Sequence, residues 1–349
     1  MQKTGIEWTD FTANPIKYRD AAGNVVWACV KTSPGCTHCY AEALAKRYGR
    51  GGPFKQSVMD GLTPFLDEKE LRKMLTYKPA SGARCFIGDM TDVFGEWVPD
   101  EMLDRLFAAF AARPDVTWQV LTKRADRLAK YMAGDVHLRM TRCFVNFREY
   151  MEPVGPWPLS NVWIGVSVED QQRADERIPS LLRTRAAVRF LSCEPLLGKL
   201  NLRRYFAHSI HCGGMVRPGH FMPSYCDCGA PNIHWCIVGG ESGGGSRECR
   251  AEWVRDIVKQ CQSARVPAFV KQMGSKIIDR NDAGFSGDEP DSWPESLEYG
   301  GNIRVEHNIH GFREEFQGAD VRIHLPTRKG GEPSEWPEDL RIRQFPVSA

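Results

Sequence analysis

Short apolar runs recur along the chain, each bounded by glycine, proline or charged residues. They read "RCFIGD" (84–89), "TWQVLT" (117–122), "NVWIGVS" (161–167), "VRFLSCE" (188–194), "HWCIVGGE" (234–241) and "PAFVKQ" (267–272). β-branched and aromatic residues dominate them, and several show no polar alternation. That pattern predicts strands buried on both faces of a parallel sheet. Longer segments of helical period lie between them. "DEMLDRLFAAFAAR" (100–113) starts after Val-Pro with acidic residues in its first turn, as a helix N-terminus favours. "QQRADERIPSLLRT" (171–184) and "AEWVRDIVKQCQSA" (251–264) are amphipathic, and "YAEALAKRYG" (40–49) ends on a glycine stop. The sum is an α/β fold of six or seven βα units with right-handed crossovers. It forms a partial (β/α) barrel whose chemistry lies on the loops leaving the strand C-termini.

Two stretches break this rhythm. Residues 205–233 place His, Cys, Gly and Pro between two strands, and residues 275–349 are rich in Gly, Asp, Glu and Pro. The first reads as an insertion in a barrel spanning 1–274. The second reads as an irregular C-terminal extension with a small antiparallel piece at "GNIRVEHNI" and "ADVRIHL". No internal repeat is visible beyond the βα rhythm.

Of the 349 residues 42% are apolar, so a large core is available, and the net charge is only +2. That balance excludes a general electrostatic grip on nucleic acid but leaves room for a local basic patch. The opening "MQKTGIEWTD" has no apolar core of a signal peptide, and "LFAAFAA" (106–112) is too short to span a bilayer. A soluble cytoplasmic protein with no membrane partner is expected. Twelve cysteines are many for such a chain. Without a secretion signal, metal or cluster ligation explains the clustered ones better than disulfides do. Cys85, Cys193 and Cys236 sit in apolar runs and read as small core residues.

The densest cluster is "CVKTSPGCTHCYAE", with Cys29, Cys36 and Cys39. A structural zinc site wants four protein ligands, and only His38, squeezed between two of the thiols, could be the fourth. Three cysteines suit a 4Fe–4S cluster whose fourth iron takes an outside ligand, since cluster iron is held by thiolates. A structural zinc or a redox pair is the alternative.

The motif C-x6-C-x2-C-Y-A, preceded by "IEWTDFTANP", resembles the phage Gp37/Gp68 family, whose members have been likened to radical SAM proteins. The resemblance continues through "GDMTDVFGEWVPDE", "WQVLTKR", "NVWIGVSVEDQ", "RIPSLLRTRAAVRFLSCEPLLG", "WCIVGGESGGGSR" and "VPAFVKQMG", over roughly residues 5–275. The first gap is longer than the usual C-x3-C-x2-C. "CTHCYA" is also similar to the spore-photoproduct-lyase-like branch, which points towards nucleic-acid chemistry. The resemblance implies a radical-SAM-like barrel with a 4Fe–4S cluster on Cys29, Cys36 and Cys39. It further implies S-adenosylmethionine bound at the open iron and cleaved by one electron, so an electron donor is needed. The resulting 5′-deoxyadenosyl radical would take hydrogen from a substrate, here expected to be a nucleic acid or nucleotide.

Polar groups gather at the predicted strand ends. Asp89 and Asp92 follow one strand and Lys123 the next. Ser167 and Glu169, Glu194, then Gly239, Gly240 and Glu241, and finally Lys271, follow the others. In one barrel all would share a mouth with the cysteine loop. Carboxylates suit an ammonium and a ribose diol, lysines suit a carboxylate, and the glycines would let backbone approach a cofactor. Capping and salt bridges are the bland alternative for each. In the insertion, Cys212, Cys226 and Cys228 with His211 resemble the knuckles of a zinc ribbon; a zinc site and a reduced glycine-rich loop both fit, as does a second cluster. The basic stretches "KRADRLAK" (123–130) and "RRY" (203–205) read as solvated helix faces. Two rival functions stay open: a non-catalytic cluster or zinc protein, and a nuclease or hydrolase holding a divalent metal on Asp89, Asp92 and Glu194.

Overall fold

The structure, a computed structural model, describes residues 1–144, 156–206, 232–281, 306–307, 319–323, 325, 327 and 329–346. An edge strand β1 (Gln2–Lys3) pairs antiparallel with β2 (Phe11–Ala13). The chain then leaves the main sheet. Strands β3 (Ile16–Arg19), β4 (Val25–Val26) and β5 (Thr63–Leu66) form a small antiparallel sheet of their own. The cysteine loop, α1 (Tyr40–Arg47) and the short α2 (Gln56–Met59) lie between β4 and β5. Helix α3 (Glu68–Thr76) is capped by Asp67, whose carboxylate accepts the N–H groups of Lys69 and Glu70, and leads back to β6 (Arg84–Ile87).

From β6 onward strands and helices alternate. They run α4 (Asp100–Ala111), β7 (Thr117–Thr122), α5 (Ala125–Ala133), α6 (Val136–Phe144), β8 (Val162–Ser167), α7 (Gln171–Leu182) and β9 (Val188–Cys193). The short α8 (Arg203–Phe206), β10 (Trp235–Gly239), β11 (Cys249–Arg250), α9 (Ala251–Ala264) and β12 (Ala268–Gln272) follow. β13 (Ile277–Asn281), β14 (Glu306–His307) and β15 (Ala319–Ile323) join β11 in a four-stranded sheet, antiparallel between β13, β15 and β14.

The main sheet has the order β1-β2-β6-β7-β8-β9-β10-β12. Among the described residues every pairing from β2 to β12 is parallel, which makes seven parallel strands and one antiparallel edge. Alternate residues sort onto two faces. One face carries Cys85, Ile87, Trp118, Val120, Ile164, Val166, Leu191 and Val238, buried under the helices in one continuous core. The other carries Phe86, Trp163, Val188, Phe190, Trp235, Ile237 and Phe269, which with Trp8 form a separate aromatic cluster.

That second cluster reveals the curvature. β6 and β10 are four strands apart, roughly 19 Å in a flat sheet. Yet the Trp8 ring lies 4.8 Å from Phe86 and 6.2 Å from Trp235. The sheet is curled into a half-barrel around these rings. Gly165 is required by this packing, because a Cβ there would run into the Phe190 ring.

The last described residues complete the floor. Val270 donates its N–H to the Ile342 carbonyl (2.7 Å) and Gln344 to that of Ala268 (2.9 Å), so the segment runs antiparallel along the edge strand β12. Phe345 packs against Trp235 and Phe269 at 5.3 and 5.2 Å, with the Arg84 guanidinium 3.9 Å over its ring. The extension is thus part of the barrel's closure as well as a small antiparallel sheet. No helix among the described residues is long and apolar enough to cross a membrane.

Candidate functional site

Register explains why the strand-end groups meet. Gln119 stands opposite Trp163, Gly165 opposite Phe190, Ser167 opposite Ser192, and Phe190 opposite Trp235. Whereas β7 already carries the buried Gln119 on this side, the inward column of β8, β9, β10 and β12 is apolar at its N-terminal end and polar at its C-terminal end. Above the aromatic floor it becomes Asn14, Asp89, Lys123, Ser167, Glu169, Glu194, Glu241 and Lys271. Between Val238 and Gly239 the register slips, leaving Lys271 without a Cα partner. Its ammonium reaches Glu194 Oε1 at 2.7 Å, which also accepts from Gln272 Nε2 at 2.8 Å.

The cysteine loop lies across this mouth. Gly35 donates its N–H to Glu169 Oε1 (3.3 Å), and Arg247 Nη1 donates to the Pro34 carbonyl (2.9 Å). Arg124 Nη2 donates to the Val30 carbonyl (2.9 Å), and the Tyr40 hydroxyl to that of Asp89 (2.7 Å). His38 Nδ1 stands 3.0 Å from Glu241 Oε2. Cys39 is the N-cap of α1. All three thiols are half-buried, and Cys39 is close enough to Cys29 and to Cys36 to share charge with each. Burial and the Asp92 carboxylate push Cys29 up to about 11, and burial raises Cys39 as well. Cys36 goes the other way. Burial is outweighed by the Lys123 ammonium and the Thr32 and Ser33 amides, and its thiol falls below the usual value. Lys123 Nζ also donates to Ser167 Oγ at 3.3 Å.

Two of the carboxylates are committed to arginines. Glu169 has no exposed surface and pairs with Arg177 at 2.9 Å. Burial raises its carboxyl, but Arg177 and Lys123 more than offset that and hold it low. Glu241, 6% exposed, accepts from Arg247 at 2.8 Å (backbone), 2.9 Å (Nε) and 2.6 Å (Nη2). Against burial, Arg247 and His38 hold it at about 2. Both carboxylates therefore clasp the loop.

Asp89 and Glu194 are the carboxylates left at the opening. Asp89 is raised by burial, partly offset by Asn14 Nδ2, which donates to it at 2.6 Å. Asp92 is turned away from the opening. It accepts from Thr122 Oγ1 (2.6 Å), Lys123 N (3.0 Å) and Arg124 Nη1 (3.2 Å). Gly239 and Gly240 are explained by chain packing, since a Cβ on Gly240 would strike the Met273 carbonyl and one on Gly239 would crowd that of Gln272. Among the described residues no three His, Cys, Asp or Glu side chains meet closely enough to hold a single metal ion. Cys212, Cys226, Cys228 and His211 lie outside the described residues.

Reading the sequence by strand ends missed Asn14, Tyr40, Arg177 and Arg247 as parts of this site, and named His38 only as a candidate zinc ligand. Asn14 follows a strand too short to stand out as an apolar run. Arg247 sits across the glycine turn from Glu241, a spacing that alone gives no sign of pairing.

No curated protein and no solved structure matches the chain. A family model described as a protein of unknown function, DUF5131, matches residues 3–294. With that match covering most of its length, the chain belongs to the DUF5131 family.

Proposed function

We propose that the protein is a radical-SAM-like iron–sulfur enzyme of the phage Gp37/Gp68 type, acting on a nucleic acid or nucleotide. The observation that carries this is the loop itself: Cys29, Cys36 and Cys39 lie half-buried across the end of the sheet where the strand-end polar groups gather. Three thiolates are the donor set of a cluster with one open iron. His38 turns its Nδ1 to Glu241 and keeps Nε2, so zinc on this loop is the outcome that the test below must separate from a cluster. Cys29, Cys36 and Cys39 would hold the 4Fe–4S cluster. With S-adenosylmethionine bound, it supplies one-electron reductive cleavage and hydrogen abstraction.

The chain's own groups bind, orient and exclude water. Lys123 lowers the thiol of Cys36 and so readies it as a ligand. Glu169 and Glu241 fix the loop through Gly35, His38 and Arg247. Asp89 would accept from an ammonium or a ribose diol; Glu194 and Lys271, paired with each other at 2.7 Å, would exchange that partner for the diol or ammonium and for the carboxylate. The aromatic floor beneath them keeps water out of the barrel.

The test is anaerobic reconstitution with iron and sulfide, followed by EPR of the reduced protein with and without S-adenosylmethionine. The expected result is about four irons per chain, lost in Cys29→Ser, Cys36→Ser and Cys39→Ser, and a signal altered by S-adenosylmethionine. Zinc alone in the loop, with no effect of S-adenosylmethionine, would sink the proposal.

A further inference from the structure

α1 starts at the cysteine loop and ends in "KRYGRGGPFK" (46–55). Lys46, Arg47, Tyr48, Gly49 and Arg50 are all exposed, as are Gly52, Pro53 and Lys55. Among the described residues none of the four cations has a carboxylate within ion-pair distance. No acidic residue occurs between Glu42 and Asp60. Glu42 is taken up by Lys31 (2.6 Å) and the Phe54 N–H (2.8 Å), and Asp60 by Gln56 (2.7 Å). In the two basic stretches that read from the sequence as solvated helix faces, by contrast, the arginines are ion-paired. Arg124 pairs with Asp92 and Glu96, Arg127 with Asp100, Arg203 with Asp256 and Arg204 with Asp175. Lys46 still feels the Glu42 carboxylate one turn earlier, but four positive charges on ten residues, none of them in an ion pair, exceed the net +2 of the entire chain.

This strip also carries an aromatic ring. Tyr48 is 61% exposed, and the Arg47 guanidinium lies 6.0 Å from its ring centre. Nearby, Arg50 lies 5.8 Å from the Trp27 ring. The strip is held in place on both sides of Cys29. Trp27 donates its N–H to the Arg50 carbonyl (2.7 Å) and Lys31 to that of Phe54 (3.2 Å). Phe54 itself is buried with Ala41, Ala45 and Met90. The eight residues of α1 span about 12 Å, so the strip begins within reach of a short oligonucleotide's backbone from Cys39.

We infer that residues 46–55 dock the backbone of a single-stranded nucleic acid, with Tyr48 as a stacking platform, and lead it to the mouth beside Cys39. Basic residues that track phosphates, with an aromatic between them, are the physical requirements of single-strand binding. A membrane surface would need an apolar face to insert, and Tyr48 is the one large apolar side chain exposed on the strip. The inference names the substrate class of the site proposed above and rests on that reading, but its test does not need the cluster.

The test is fluorescence anisotropy of a labelled mixed-sequence oligonucleotide, about 20 nucleotides long, as DNA and as RNA. The full-length protein is used without iron, at roughly 50 to 200 mM KCl. Four phosphate contacts predict a slope of about −3 for log K against log salt. Combining Lys46→Gln, Arg47→Gln, Arg50→Gln and Lys55→Gln should bring the slope close to zero. Tyr48→Ala should weaken binding about tenfold and leave the slope unchanged. An unchanged slope in the fourfold variant, no oligonucleotide binding at low salt, or equal binding to anionic phosphatidylglycerol vesicles would each overturn the inference. Iron content after reconstitution is read on the same variants. Lost oligonucleotide binding with full iron, or the reverse, tells failure of the docking strip from failure of the cluster reading.

Discussion

Replacing Glu241 by Gln tests the clasp that holds the cysteine loop to the end of β10. The carboxylate sits at about 2 against an ordinary 4.5, which by linkage corresponds to on the order of 3 kcal/mol. Arg247 is 31% exposed, and solvent screening trims the figure to about 2 kcal/mol. Because the folded value is the lower one, this stability is fully present above pH 4.5. It is lost as the pH falls from there through about 2. The assay is urea denaturation of the iron-free protein, followed by tryptophan fluorescence, for wild type and Glu241→Gln at a series of pH values. Other carboxylates titrate in both proteins, so the difference between the two isolates this one. It should be about 2 kcal/mol near neutrality and shrink steadily below pH 4.5. A difference that stays constant from neutral to acid pH, or no difference at all, would refute the clasp.

Three further outcomes follow from the packing. Glu169→Gln leaves the Arg177 guanidinium buried without its counter-charge, and should cost about 3 kcal/mol in chemical denaturation. Gly240→Ala drives a Cβ against the Met273 carbonyl; the loss should be about 2 kcal/mol or more, with the β10–β12 amides exchanging faster with deuterium. Phe345→Ala removes the ring between Trp235, Phe269 and Arg84. The expected cost is about 2 kcal/mol, seen together with a red-shifted tryptophan emission as the floor is wetted.

The central sheet was legible because its strands are buried on both faces. TWQVLT (117–122) coincides with β7, and the other five runs match their strands within a residue or two at either end. The same logic placed the polar groups correctly at strand ends, since a parallel sheet forces every strand's C-terminus to one side. What stayed hidden depends on contacts distant in sequence. β2 has three residues, and Trp8 fills the floor only because the sheet curls around it. Periodicity carries no trace of that. Nor could spacing distinguish a carboxylate that faces the opening, such as Glu194, from one sequestered by an arginine, such as Glu169. The glycines of "VGGE" illustrate a further limit. The residue type announces a close approach, but only the fold says that the neighbour is the β12 backbone.

The docking of residues 342–345 along β12 has a bearing on the order in which the fold closes. Trp8 and Phe345 stand far apart in sequence, yet both meet Trp235. While residues 342–345 are undocked, β12 is a bare edge and the aromatic floor is open to water. Sheet and helices can assemble before that contact forms, and the floor is sealed only when it does. A proteolytic nick or a local opening that frees this segment would leave an adhesive edge and a leaking base. Such a species is a natural target for chaperones and proteases, well before any chemistry at the opposite end of the sheet could begin.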